Sequence, residues 1–305
     1  VRLFAGFDLG GTLLKYGLVD EKGDIILENL VNTPGTMENL LQTLRDIWHV
    51  LRKRYQNRIV SAGLGFPGIF NQKEQIILQS PNYPEIDNCA LIPAFSQFID
   101  VPFWVNNEAN LAAFGEYVRG AGQNTQSLVL LTIGTGVGTG IILDGKIWQG
   151  SCGYAGEMGH ATVNPEGEAC KCGSRGCLET EVSAPKIVKN YLYFSRLKEN
   201  ITSEEITRRA RNNDKNALKA LALAGRYLGI GISIMINLLN PEKILLGGGV
   251  MKAGNLLLEP AVKESSIRSF KGSFECCQIE RASLGNKAGF IGAALWAKKH
   301  LNSDF

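Results

Sequence analysis

"LFAGFDLGGTLLKYGLVDEKGDIIL", residues 3–27, reads as strand, glycine-rich turn, strand, Asp-Glu-Lys-Gly turn, strand. Residues 128–150, "LVLLTIGTGVGTGIILDGKIWQG", repeat the idea: apolar strand, Gly/Thr turn, apolar strand, Asp-Gly turn. Gly10 falls opposite Gly134 and Asp20 opposite Asp144, both at an offset of 124 residues. Two related hairpins in successive halves point to a duplicated fold with a cleft between the halves.

The segments around the hairpins alternate between helical and extended patterning, which indicates an α/β architecture. "TMENLLQTLRDIWHVLRKRY" (36–55) carries Leu40, Leu41, Leu44, Ile47, Trp48 and Leu51 at helical spacing. "RIVSAGLGFPGIF" (58–70) is a strand entering a Gly/Pro loop. In the second half, "NDKNALKALALAGRYLGIGISIMINLLNP" (213–241) is a long buried helix stopped at Asn240-Pro241. "KILLGGGVM" (243–251) is a strand ending in three glycines, and "NKAGFIGAALWAKKH" (286–300) is a final helix rich in small residues.

The bulk properties exclude several classes. A chain of 305 residues can hold two domains and a large core. A net charge of +3, with scattered basic residues, gives no footprint for nucleic acid or an anionic membrane. The most hydrophobic stretch, Ala217 to Leu239, is interrupted by Lys219, Arg226 and glycines, so no membrane span is expected. No signal-peptide pattern opens the chain. Seven cysteines, three of them in "CKCGSRGC", fit a reducing compartment and metal binding better than a disulfide framework, and the cytoplasm is the expected location.

Glycine-rich turns after strands let backbone N–H groups approach phosphate oxygens. "FDLGGT" offers Gly10, Gly11 and Thr12, and "TIGTGVGTG" offers Thr135 and Gly136. Asp8 would face the same phosphates, where a carboxylate makes sense through a bound cation such as Mg²⁺. "LLGGGV" supplies Gly248 and Gly249 after a strand, suited to the adenosine or phosphate end of a nucleotide.

The most specific spacing lies in "GEMGHATVNPEGEACKCGSRGCLE" (156–179). His160, Cys170, Cys172 and Cys177 place one imidazole and three thiolates within eighteen residues, as a closed tetrahedral zinc site requires. With four protein ligands such a zinc is structural. The plain alternative is a loop of free cysteines. Glu157 and Glu179 flank the loop, where folding around metal would fix carboxylates able to bind vicinal sugar hydroxyls.

In "VPFWVNNEANLAAFGE" (101–116) an apolar strand runs into two asparagines and then Glu108, at the first turn of a helix. A charge at a helix N-terminus is ordinary capping chemistry. A ligand group and a catalytic base are the other two readings.

Together these motifs resemble the ROK family (repressor, open reading frame, kinase) of sugar kinases and sugar-responsive regulators, over nearly the whole chain. The matching stretches are "DLGGT" (8–12), "TIGTGVGTG" (132–140), Glu157 to His160, Cys170 to Glu179, "LLGGGV" (245–250) and "ASLGNKAGFIGAA" (282–294). The resemblance implies a two-domain actin-like, ribonuclease-H-like ATPase fold closing on an active-site cleft. Residues 1–118 with about 290–305 would form the smaller domain, and 119–289 the larger. It implies ATP-dependent phosphorylation of a hexose or N-acetylhexosamine with Mg²⁺, a structural Zn²⁺, and a homodimer or larger assembly. Carried over by position, Asn107, Glu157, His160 and Glu179 would contact the sugar, as would Asn82 in "QSPN", and His160 would also hold zinc. A tryptophan common in the family a few residues later is absent from "NYPEIDN" (82–88).

The family's kinases read Asn-Asp-x-Asn with the aspartate as general base, whereas here the chain reads Asn107-Glu108-Ala109-Asn110. Glu108 therefore stands in the catalytic position with one methylene more, and reduced activity is one expectation. The "NEAN" form resembles the family's repressors, although those carry an N-terminal helix-turn-helix and this sequence begins seven residues before Asp8. Two functions follow: a sugar kinase with Glu108 as base, or a sugar-binding regulator with little kinase activity that works through partners.

Overall fold

A computed structural model describes residues 1–302 apart from Gln72, Lys73, Gln75 and Pro81. Contacts divide the chain into two units, Val1–Asn124 with Ile147–Ala155 and Asn286–Phe305, and Thr125–Lys146 with Gly156–Gly285. Against the boundaries expected near 118 and 290, the hand-over falls a few residues away on each side. Ile147–Ala155, expected in the second domain, packs with the first unit.

Strands and helices are numbered along the chain. In the first unit β1 (Leu3–Leu9), β2 (Leu13–Val19) and β3 (Ile25–Asn32) make an antiparallel meander. β4 (Ile59–Phe66) and β7 (Phe103–Asn107) add in parallel beyond β1, giving the order β3-β2-β1-β4-β7. A separate hairpin pairs β5 (Ile69–Asn71) with β6 (Ile76–Gln79). Every residue of β1 is buried, Asp8 included, as a central strand that is apolar at its other positions requires, whereas β3 at the edge is mostly exposed.

α1 (Met37–Tyr55) starts where the Thr36 hydroxyl accepts the Asn39 N–H, and it buries Leu40, Leu44, Ile47, Trp48 and Leu51 on one face. α2 (Ile92–Phe95) is a single turn, and α3 (Glu108–Arg119) follows β7 directly. α10 (Ala288–Leu301) is buried from Ala288 to Ala297 against β1, β2, β4 and α3. Glycines allow that depth: a Cβ on Gly6 of β1 would lie 1.9 Å from the Phe290 oxygen, and one on Gly292 would lie 1.7 Å from the Leu111 oxygen. The small residues seen in this helix are consumed by packing inside its own unit.

The second unit repeats the plan. β8 (Leu128–Ile133), β9 (Val137–Leu143) and β10 (Lys146–Ile147) precede β11 (Lys243–Gly247) and β12 (Gln278–Arg281), in the order β10-β9-β8-β11-β12. β8 and β9 are antiparallel, while β11 is parallel to both β8 and β12. The first hairpin closes at Leu9 opposite Leu14 and the second at Ile133 opposite Val137, so the second turn is one residue shorter.

The helices of this unit are α4 (Leu178–Val182), α5 (Ala184–Ser195), α6 (Ser203–Arg211), α7 (Lys215–Leu239), α8 (Asn255–Arg268) and α9 (Lys271–Glu275). α7 is long and apolar enough to span a bilayer by length and composition, yet more than half of its most apolar window is buried in the unit. It is capped by the Asp214 carboxylate, which accepts from Asn216 N and Ala217 N, and it packs closely on α8. It ends at Asn240 in the left-handed conformation before Pro241.

Candidate active site

Parallel strands present their carboxyl ends on one edge of a sheet, where α/β proteins bind ligands. In the first unit Asp8 of β1 pairs with Gly65 of β4, and Gly65 pairs with Asn106 of β7. One row of the sheet therefore leads from Asp8 to the start of α3, two strand spacings of about 4.8 Å away. A Cβ on Gly65 would lie 3.2 Å from the Glu108 Cα, so the bare glycine lets α3 begin close against β4.

Asp8 is 7% exposed. Its Oδ2 stands 3.2 Å from Lys15 Nζ, its cross-strand partner on β2. Burial pushes the Asp8 carboxyl above its usual range, and the Lys15 ammonium opposes that shift. α10 meets the same carboxylate with its first turn, since a Cβ on Gly289 would lie 2.3 Å from Asp8 Cγ. The positive start of α10 and one ammonium face this buried acid, and its carboxylate oxygens are of the type that hold a divalent cation. Lys15 was missed in the sequence reading. Its signal was the hairpin register, which puts it opposite Asp8.

The Gly10 N–H donates to the Leu13 oxygen at 3.0 Å, while the Thr33 hydroxyl donates to the Gly10 oxygen at 2.6 Å. Gly11 and Thr12 are exposed at the tip. A Cβ on Gly11 would come only as near as 3.8 Å to Asn82 Nδ2, which places the exposed Asn82 amide beside this loop. Pro81 of the "QSPN" stretch lies outside the described residues.

Asn107 caps α3, its Oδ1 accepting the N–H groups of Ala109 at 2.9 Å and Asn110 at 3.1 Å. Its Nδ2 donates to the Gly68 oxygen at 3.0 Å and to Glu108 Oε2 at 2.8 Å. All four hydrogen-bonding positions of this amide are thus taken up in holding the helix start, the Gly68 loop and the Glu108 carboxylate. Behind it the fully buried Asn106 accepts from the Asn107 N–H at 2.8 Å and from Gln149 Nε2 at 3.1 Å. Gln149 lies on the inserted segment and had no signal in the sequence.

In the second unit the Gly134 N–H donates to the Gly136 oxygen at 2.9 Å, and the tip residue Thr135 is exposed. Gly248, with φ of 88°, would put a Cβ 2.3 Å from the Ile133 oxygen, so the end of β11 presses on the root of this hairpin. Cβ atoms on Gly134 and Gly249 would meet nothing within 4 Å. Packing gives no reason for a missing side chain at either position.

Glu157, His160 and Glu179 come together beside that hairpin. His160 Nε2 is 3.9 Å from Glu157 Oε2, and Glu179 Oε2 accepts the Val137 N–H at 2.9 Å. Partial burial raises the Glu157 carboxyl above its usual range; His160 opposes the shift and the nearby Glu179 charge adds to it.

His160 Nδ1 points the other way, 3.7 Å from Cys170 Sγ. Cys172 and Cys177 have their sulfurs 3.7 Å apart, and the four ligand atoms all lie within 4.8 Å of one another. A tetrahedral zinc with bonds of about 2.3 Å to sulfur sets ligand edges near ~3.8 Å, so this donor set fits the ion in chemistry and spacing. Burial and the two neighbouring sulfurs push the Cys177 thiol up to about 12, as expected of thiols gathered for a cation.

Two sheets of one plan, each with a glycine hairpin after its central strand and a carboxylate near the strand ends, define the actin-like ATPase class. The chain belongs to the ROK family, whose pattern matches residues 4–300. A glucokinase of Halalkalibacterium halodurans is 35% identical over 99% of this chain and 97% of its own length. A xylose repressor of Caldicellulosiruptor bescii is 31% identical over 94% of this chain and 76% of its own length. Among solved structures, a ROK family glucokinase from Streptomyces griseus, in complex with glucose and AMPPNP, superposes with a TM-score of 0.86. It is 32% identical, covering 97% of this chain and 99% of the other.

Proposed function

We propose that this protein transfers the γ-phosphoryl group of ATP to a hydroxyl of a hexose or N-acetylhexosamine, with Glu108 as general base. The observation that carries this reading is the pair of glycine hairpins. Gly11 is exposed in one, and Gly134 in the other has open space where a side chain would stand. Resemblance to glucokinases over 97–99% of both chains supports it.

In this mechanism the backbone of Gly10, Gly11 and Thr12 and of Thr135 and Gly136 cradles phosphate oxygens, while Gly248 and Gly249 border the nucleotide. Asp8 would hold Mg²⁺, which when bound neutralises charge on the transferring phosphoryl group. Lys15 pairs with Asp8 across the hairpin, Nζ to Oδ2 at 3.2 Å. Glu157, His160 and Glu179 accept and donate to vicinal hydroxyls, with Asn82 as a further contact. Asn107 orients Glu108 through its Nδ2. The Glu108 carboxylate takes the hydroxyl proton as that oxygen bonds to phosphorus and the bond to the ADP oxygen breaks. The N-terminus of α3 favours the ionised carboxylate this step needs.

His160, Cys170, Cys172 and Cys177 would hold a zinc that fixes the loop between Glu157 and Glu179. The second reading, a sugar-responsive regulator with little transfer activity, is favoured by the xylose repressor likeness. Incubation with Mg·ATP and glucose, mannose, fructose, N-acetylglucosamine or N-acetylmannosamine, with ADP release followed, separates the two. Calorimetric sugar binding with no ADP release selects the regulator.

A further inference from the structure

Glu179 begins two residues after Cys177, at the foot of the cysteine loop, and reaches the second phosphate hairpin 42 residues away in sequence. Its Oε2 accepts the Val137 N–H at 2.9 Å. It also fills the space left by the absent side chain of Gly136, where a Cβ would stand 2.5 Å from the same oxygen. One carboxylate therefore occupies a backbone donor of a phosphate-binding turn and puts negative charge where a polyphosphate would lie.

We infer that Glu179 is a two-position carboxylate that couples acceptor binding to nucleotide binding. Without a polyol it latches the Val137 amide and opposes the nucleotide's phosphates. A sugar hydroxyl bridging Glu157 and Glu179 draws the carboxylate off the hairpin, which frees the amide and removes the charge. Nucleotide then binds more tightly in the presence of sugar, and by linkage sugar binds more tightly in the presence of nucleotide. The device would keep ATP from being held, and hydrolysed by water, before an acceptor is in place. The inference rests on the kinase reading given above.

The test is the affinity for Mg·AMPPNP, measured by calorimetry on the full chain with and without glucose, in the wild type and in E179Q and E179A. Wild-type affinity is expected to rise about tenfold with glucose, within the usual range of coupling between sites. Both variants, without glucose, should bind Mg·AMPPNP about that much more tightly than the sugar-free wild type. This readout does not require the variants to bind sugar, and E179Q keeps the side-chain size should E179A fold poorly. The Val137 amide resonance should move when glucose is added to the wild type and start in the moved position in E179A. If the wild type binds nucleotide but neither variant binds it more tightly, the latch is overturned and the kinase reading stands. If no form binds Mg·AMPPNP with or without glucose, both are overturned.

Discussion

Asn107 and Glu108 are joined side chain to side chain, Nδ2 to Oε2 at 2.8 Å, while the Asn107 Oδ1 caps the helix that Glu108 begins. The same residue that ends β7 thus fixes both the helix start and the carboxylate. Asn107→Ala should lower stability by about 1 kcal/mol through the lost cap. It should also lower kcat more than it raises KM for sugar, because Glu108 loses its tether. Thermal denaturation and steady-state ADP release check the two effects separately.

Substitution at Glu108 itself separates charge from reach. Glu108→Gln should cut turnover by at least about 100-fold, the loss expected of a general base. Glucose affinity by calorimetry should stay within a few-fold. Glu108→Asp retains a carboxylate set back by about 1.5 Å, one carbon–carbon bond, and should keep measurable turnover. Equal activity in Glu108→Gln and wild type would remove Glu108 from the base role.

Because burial raises Asp8, its proton should bind at a pH above the ordinary aspartate range. Mg²⁺-dependent nucleotide binding should then fail on acidification earlier than an exposed aspartate would allow. The sign for stability is the reverse of a normal salt-bridged acid. As pH climbs, the unfolded chain ionises first, so folded stability falls between the ordinary value and the raised one. Lys15→Met removes the charge that opposes the shift and should move the acid limb of binding to higher pH. A limb that stays in place or moves down would contradict the pairing.

Metal analysis should find about one zinc per chain, as four protein ligands require. Cys177→Ser should reduce this to background and lower the thermal midpoint, since metal affinity is also folding free energy for such a loop. Retained zinc in that variant would exclude Cys177 as a ligand.

Two glycines give opposite forecasts. Gly134→Ala meets nothing within 4 Å and should change stability little, yet weaken Mg·AMPPNP binding by placing a methyl group in the phosphate approach. Gly292→Ala would meet the Leu111 oxygen at 1.7 Å and should cost about 3 kcal/mol or more.

Much of this was legible in the residues. The 124-residue offset of Gly10 and Gly134 announced two sheets of one plan; helical spacing located α1, the long apolar stretch stopped at Asn240-Pro241 located α7, and the small-residue run at the end located α10. His160 and the three cysteines were legible as a set, because spacing within one loop limits where the ligands can be. What stayed hidden were partners distant in sequence. Periodicity tells which face of an element is buried but not what covers it. The contact of α10 with Asp8, the hold of Gln149 on Asn106 and the Glu179–Val137 hydrogen bond could not be read from it. The return of Ile147–Ala155 to the first unit was hidden for the same reason. Lys15 lay between these cases, since the hairpin register alone would have placed it opposite Asp8.

The central claim is phosphoryl transfer to a sugar hydroxyl, and it is tested most directly by ADP release from Mg·ATP on addition of each sugar of the panel, with the product identified by mass. The account predicts that at least one hexose or N-acetylhexosamine stimulates ADP release and gains one phosphoryl group. Calorimetric sugar binding without stimulated ADP release from any of them would contradict it.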